Sequence, residues 1–254
     1  TIGKIDKDIL YKCYNTFYNP SNMAIVICGD FNPDEIIEEV KKRLIKKEAN
    51  GQIKRIYPEE PEEIVKDRIE QKLEVSQPLY TIGIKDKPLD CDNFAKNEIV
   101  KKHIAIEILL NMIIGKSSET YKELYEEGIL ISQPDLDYEF SDEYAHILIS
   151  GQSKNPDIVK EKIGNIVDEF QNKGLNEEHF SRIRKKIYGD YVAEYNSVGN
   201  IARMFLADKM KQIDSFDYIE KYNSVTKEYT ESILKNVFKK ENMVMSVVKC
   251  KSKK

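Results

Sequence analysis

Three histidines set what chemistry this chain can offer: His103 opens "HIAIE", His146 sits in "YAHIL" and His179 closes "NEEH". A hydrolytic zinc site built on one helix needs two histidines on the same face with a glutamate between them, as in H-x-x-E-H or H-E-x-x-H. Neither spacing occurs, so no metal ligand and no catalytic residue is expected in this chain. The "EEH" at 177–179 imitates half of such a motif. Glu177 and Glu178 nevertheless follow Asn176, a good N-cap, and carboxylates in a first turn favour the helix dipole. His103 lies in an apolar helical stretch and His146 in an apolar strand, and both are expected to be structural. Gly83, Gly115, Gly128 and Gly151 stand alone, so no phosphate loop forms, and no G-x-S-x-G turn is present.

The elements that would position any site follow from periodicity. Asp6 caps a helix with Ile9, Leu10, Cys13 and Phe17 at helical spacing, and Pro20 stops it. Met23 to Cys28 is an unbroken apolar run, which predicts a strand buried on both faces. Asn32 and Pro33 then open an amphipathic acidic helix carrying Ile36, Ile37, Val40 and Leu44. Residues 46–63, "KKEANGQIKRIYPEEPEE", have no sustained period and read as a linker. Strands are expected over Ile64–Ser76 and Leu79–Lys85, and an apolar helix over Phe94–Ile114. A short helix over Ser117–Glu127 closes on Gly128. Residues 136–150 read as a hairpin turning at Ser141-Asp142-Glu143. Asn155-Pro156-Asp157 starts a helix ending at Gly174, Asn176 starts another that runs to Tyr195, and "NSVGN" (196–200) precedes a further helix. Thr226 caps the last one, which leads into a strand over 243–248.

Two stretches repeat. With Met23 set on Met243, an offset of 220 residues, Asn22 meets Asn242, Tyr18 meets Phe238 and Asp6 meets Thr226. Both copies run cap, helix, short connection and apolar strand without a gap. A repeat this long reads as a duplicated domain. Residues 1–45 are then expected to end a first domain, 46–63 to link, and 64–254 to form a second domain.

The residues "YNTFYNPSNMAIVICGDFNPDEIIEEV" resemble the insulinase/pitrilysin-type zinc metallopeptidases (inverzincins), in which a helix ends in Tyr-x-Pro-x-Asn-Met before an apolar strand, Gly-Asp and an acidic helix. "SSETYKELYEEGIL" (117–130) and "GLNEEHFSRIRKKIYGDYV" (174–192) are similar to later segments of that family. The resemblance implies an α+β fold of two layers, a mainly antiparallel sheet with helices on one face, preceded by a helix–strand–helix segment from a homologous domain. It implies paired domains closing around a peptide, with zinc held by H-x-x-E-H in an N-terminal half that lies outside this chain. No cofactor is expected within the chain itself. The family's second domain supplies an Arg and a Tyr that grip the substrate. Here Tyr125 stands at the Arg position and Ile131-Ser132 near the Tyr position, so those roles are not matched. Tyr121 and Tyr125 remain the candidate substrate-binding residues.

Composition narrows the partners. Forty basic residues against 44 acidic ones leave −4 without a basic stripe, which argues against nucleic acid. No apolar run reaches the ~18 residues of a membrane helix. The four cysteines form no C-x-x-C pair, and Cys13 and Cys28 sit among apolar residues, as reduced buried thiols of a cytoplasmic protein would. The first residue is Thr1, which fits a fragment or a processed product. The leading expectation is the C-terminal, substrate-enclosing part of a zinc metallopeptidase, inactive alone, whose partners are a peptide substrate and the missing half or a second subunit, a homodimer included. The alternative is a non-catalytic structural or assembly subunit of the same fold. A plain α+β interaction domain is the third reading, should the duplication fail.

Overall fold

The computed structural model describes residues 2–45, 47–48, 51, 53–54, 56–58, 61, 63–88, 96–141 and 143–251. Cys91, Phe94 at the expected start of the apolar helix, and Asp142 of the hairpin turn lie outside them. The chain divides into two compact units: Thr1–Pro58 with Glu194–Met210, and Glu59–Ala193 with Lys211–Lys254.

In the first unit α1 (Lys7–Phe17) starts where Asp6 accepts the Ile9 N–H at 2.9 Å. Tyr18 ends it, and a short helical turn over Pro20–Asn22 follows. Residues 23–28 are extended but enter no ladder among the described residues. The strand expected there therefore has the right backbone and no neighbours. α2 (Pro33–Arg43) is capped by Asn32, whose side chain accepts the Asp34 N–H at 3.0 Å. Neither α1 nor α2 buries a residue. Cys13 is exposed and Cys28 half-buried, so the expected burial of these thiols is corrected: the apolar side of α1 has no cover within its unit.

The second unit holds a sheet in the order β1-β5-β2-β4-β3, formed by β1 (Arg68–Leu73), β2 (Leu79–Asp86), β3 (Asp135–Phe140), β4 (Ala145–Gln152) and β5 (Met243–Cys250). Among the described residues only the β1–β5 pairing is parallel. The expected strand over Ile64–Ser76 shrinks to β1, because pairing with β5 begins only at Arg68, opposite Met245. Side chains alternate along each strand. Tyr80, Ile82, Ile84, Ile147, Ile149, Met243, Met245 and Val247 are buried against the helices. Val244, Leu148 and Val248 point to the other face and are half-buried, while Ser246 is exposed. An unbroken apolar run thus did not mean equal burial on both faces.

Helix α3 (Lys96–Ile114) is apolar on most sides because it lies inside the helical layer, packed on β3, α8 (Ser215–Tyr222) and α9 (Lys227–Val237). α5 (Pro156–Lys173) and α9 contact β2. α4 (Glu119–Glu126) and α6 (Glu177–Glu194) complete this layer, and α7 (Val198–Met210) belongs to the first unit. Among the described residues no helix is long and apolar enough to cross a membrane.

Candidate functional site

The segment expected to touch substrate is a short, well-capped helix. Ser118 Oγ accepts the Tyr121 N–H at 3.1 Å, and Thr120 and Leu124 turn inward. Lys162 Nζ on α5 reaches Glu123 at 2.9 Å. Gly128 then takes φ +67°, a left-handed conformation open to glycine, and the Ile129 and Leu130 N–H groups return to Leu124 O at 2.9 and 3.0 Å. On this scaffold Tyr121 and Tyr125, one turn apart, stack with centroids 5.7 Å apart and 29° between planes. Tyr121 packs on the core, whereas Tyr125 is 53% exposed and presents its phenol outward.

Sequence reasoning missed a groove on the helix-free face of the sheet. It measures about 490 Å³ and lies between Pro61, Glu63, Ile64, Val65 and Lys66 and the strand residues Gly83, His146, Leu148 and Val244. Its floor exists because Gly83 has no side chain: a Cβ there would come within 3.0 Å of Val244 Cγ2. Gly83 pairs with Leu148 on one side and Val244 on the other, a register no local pattern reveals. Lys85 Nζ donates to Pro61 O and ties the overlying segment down.

The three histidines do not converge. His146 lines the groove and stacks on Tyr144 at 5.7 Å. His179 lies in the first turn of α6, where its N–H donates to Asn176 Oδ1 at 2.8 Å, so "NEEH" is a helix start. His103 is enclosed by Tyr138, Phe140 and Tyr218, with Nδ1 2.7 Å from the Tyr218 hydroxyl. Burial, assisted by Lys211, lowers it to about 4, so its ring is neutral near pH 7. Beside it Glu107 faces Lys186 and Asp190 of α6, and desolvation raises its carboxyl to about 7. That side chain is 43% exposed, so solvent screens the effect and the histidine dominates the pair. Lys102 and the Tyr138 hydroxyl both reach Asp86, at 2.6 and 2.8 Å, and satisfy a carboxylate that is only 6% exposed. These contacts fasten α3 to β2 and β3.

Among the described residues no three His, Cys, Asp or Glu side chains gather as a metal site. The residues present do not fit a zinc ion, and no step through zinc is built from them.

Residues 4–187 match the family model described as the peptidase M16 inactive domain. The chain belongs to the M16 peptidase family. It is 29% identical over 255 residues to an uncharacterised zinc protease of Bacillus subtilis, YmfH, covering 99% of this chain and 58% of that protein. A solved structure from Alicyclobacillus acidocaldarius, described as M16-like peptidase, superposes with TM-score 0.84 at 30% identity, over 98% of this chain and 59% of that one. A Helicobacter pylori protease shares the fold at TM-score 0.82 and 18% identity, over 98% and 60%. The chain thus spans less than two thirds of each of these three proteins. The M16 fold accounts for the helix-layered α+β sheet.

Proposed function

We propose that this chain is the non-catalytic, substrate-enclosing part of an M16 zinc peptidase, working with a zinc-bearing domain that supplies the H-x-x-E-H centre. In this reading residues 1–45 end the zinc-bearing domain, 46–63 connect, and 64–254 form the second domain. The observation that carries it is the groove on the helix-free sheet face. It has apolar walls at Leu148, Val244, Ile64 and Val65, and its rim bears Lys66, Lys85 and His146. Such a surface suits an extended peptide, which places alternate side chains in pockets. The exposed Tyr125 is proposed as a further substrate contact, its hydroxyl able to bond a peptide carbonyl.

The test is reconstitution with the M16-type domain expected upstream in the same reading frame. A quenched peptide should be cleaved by the two together and by neither this chain alone nor the pair after Leu148→Asp at low substrate. The Leu148 change should raise KM about tenfold or more with little effect on kcat. Hydrolysis by this chain alone would overturn the proposal, as would a Leu148→Asp variant with unchanged KM. The replacement of the family's substrate-gripping Arg by Tyr125 favours the alternative, an assembly subunit without activity. That alternative is chosen if the reconstituted pair binds zinc and forms a complex but cleaves no peptide.

A further inference from the structure

β2, β4 and β5 are interior strands, each paired on both sides, so their main-chain groups are spent within the ladder. A peptide lying on their helix-free face does not join the sheet as a further strand, and its recognition falls to side chains. Register sets those side chains in rows across the sheet. Val244, Gly83, Leu148 and Asp137 form one row, and Lys85, His146 and Glu139 form the next. Gly83 is the empty place in the first row. Glycine weakens a strand interior and often marks where a ligand or another chain approaches closely. Crowding accounts for one side of it alone. A Cβ at Gly83 would meet Val244 Cγ2 at 3.0 Å, but its next neighbour, Leu148 Cδ2, is 3.8 Å away, an ordinary contact. The space above is the groove.

Size and charge say what fits there. A cavity of about 490 Å³ is in the range of small-ligand pockets, roughly 300–1,000 Å³. It takes a short piece of a peptide and few of its side chains. Its flanks differ in charge. Glu63, Lys66 and Lys85 line the side of the overlying segment, where Lys85 Nζ is held by Pro61 O. The other side opens toward β3, whose Asp135, Asp137 and Glu139 share the groove's face of the sheet. Lys211 reaches Glu139 at 3.6 Å, while Asp135 and Asp137 enter no ion pair among the described residues. β3 lies two strand spacings from β2, roughly 10 Å, which an extended peptide covers in about three residues.

We propose that Gly83 is the specificity-determining residue of this groove. One bulky apolar side chain of the bound peptide sits over it, between Leu148 and Val244, and a lysine or arginine of the same peptide, about three residues away, meets Asp137. This rests on the functional reading above and names the class of peptide it would take.

Binding of short fluorescein-labelled Ser/Thr peptides to the full chain, read by anisotropy, tests it. A peptide with one Phe and an Arg about three residues on should bind roughly 10- to 100-fold tighter than its Ala-for-Phe analogue. It should bind about 2- to 5-fold tighter than its Gln-for-Arg analogue, and Asp137→Asn should remove that second preference alone. Gly83→Ala should cut the Phe preference to about threefold or less, because the added methyl takes the anchor's place. Since that methyl also crowds Val244, Val244→Ala is the second variant. It widens the cleft without crowding, and the Trp-for-Phe analogue should then overtake the Phe peptide. Circular dichroism identifies which variants are folded. Equal or undetectable binding of the Phe and Ala peptides by the parent chain, or preferences unchanged in the folded variants, would overturn the assignment. The functional reading would still stand if the reconstituted pair cleaves peptide with the Leu148→Asp effect on KM. A Phe preference altered as expected, in a chain whose reconstituted pair cleaves no peptide, would support the groove assignment and sink the functional reading instead.

Discussion

Residues 6–28 and 226–248 share a capped start, helix length, closing torsions and turn, yet only the second copy is a strand in a sheet with a buried helix behind it. The comparison separates two kinds of structural information. A cap, an amphipathic helix and a proline- or asparagine-closed turn are specified within a dozen residues, although an 11-residue helix draws most of its stability from what packs on it. A strand is specified by its neighbours, because its hydrogen-bonding groups are satisfied across the ladder. The first copy has the local half of this information without the rest.

The comparison breaks most easily at the strand faces. Met245→Asp places a carboxylate at a position 2% exposed, which should cost on the order of 4 kcal/mol or unfold the second unit. The same charge at its counterpart, Ile25→Asp, should change stability of this chain by less than ~0.5 kcal/mol. Urea titrations followed by circular dichroism decide it, and equal losses at the two sites would end the argument for an uncovered first copy. One step smaller is the helix pair. Leu234→Ala removes a fully buried side chain and should cost about 3 kcal/mol, whereas Tyr14→Ala should cost under ~1 kcal/mol. Comparable midpoints for these two variants would count against the assignment.

Much of the fold was legible because it is local. Asp6, Asn32, Asn176 and Thr226 act as caps where their positions suggested, and Gly128 and Gly174 close helices at positive φ. What escaped depends on distant pairing. The parallel partnership of β1 with β5 joins residues about 180 positions apart, and nothing in "RIEQKL" announces it. The groove depends on Gly83 meeting Leu148 and Val244 across three strands, and His103 is positioned by Tyr218, 115 residues away. Of the candidate site, Tyr121 and Tyr125 were named through the family resemblance, and what the structure adds is that they stack one turn apart on α4. The face that gives the groove its shape was not legible, since a continuous apolar run does not say which of its sides a helix covers.

A pH titration sharpens the contrast further, because the second copy packs on α3 and the first has no such support. His103 has its folded-state value lowered to about 4 from 6.5. As pH falls below 6.5 the unfolded chain takes up a proton that the folded chain refuses, so stability is lost progressively until about pH 4. At pH 5 this amounts to about 2 kcal/mol. Glu107, raised to about 7, has the opposite sign across an overlapping window, its effect reduced by solvent. His103→Phe keeps a ring among Tyr138, Phe140 and Tyr218 and should lose about 1–2 kcal/mol less than the parent between pH 7.5 and pH 5. Urea midpoints at the two pH values would reveal this, and parallel losses in both proteins would remove His103 as the cause.

The finest comparison is between the two caps, where local chemistry is alike and only coupling to a core differs. Thr226 Oγ1 accepts the Tyr229 N–H at 3.2 Å, and Asp6 accepts the Ile9 N–H at 2.9 Å. Removing either acceptor should weaken its own helix by about 1 kcal/mol. In α9 that loss passes into global stability, since Ile233, Leu234 and Val237 can be buried only while the helix is formed. α1 buries no residue, so its first turn can fray without exposing a core. Thr226→Ala should therefore shift the urea midpoint of the whole second unit, while Asp6→Ala should leave that midpoint in place and only speed amide exchange in the first turn of α1. With the preceding domain bound, Asp6→Ala should begin to behave like Thr226→Ala and lower the stability of the complex. If Asp6→Ala remains silent there, residues 6–28 are a helix and an extended segment that never acquire the core their counterpart has.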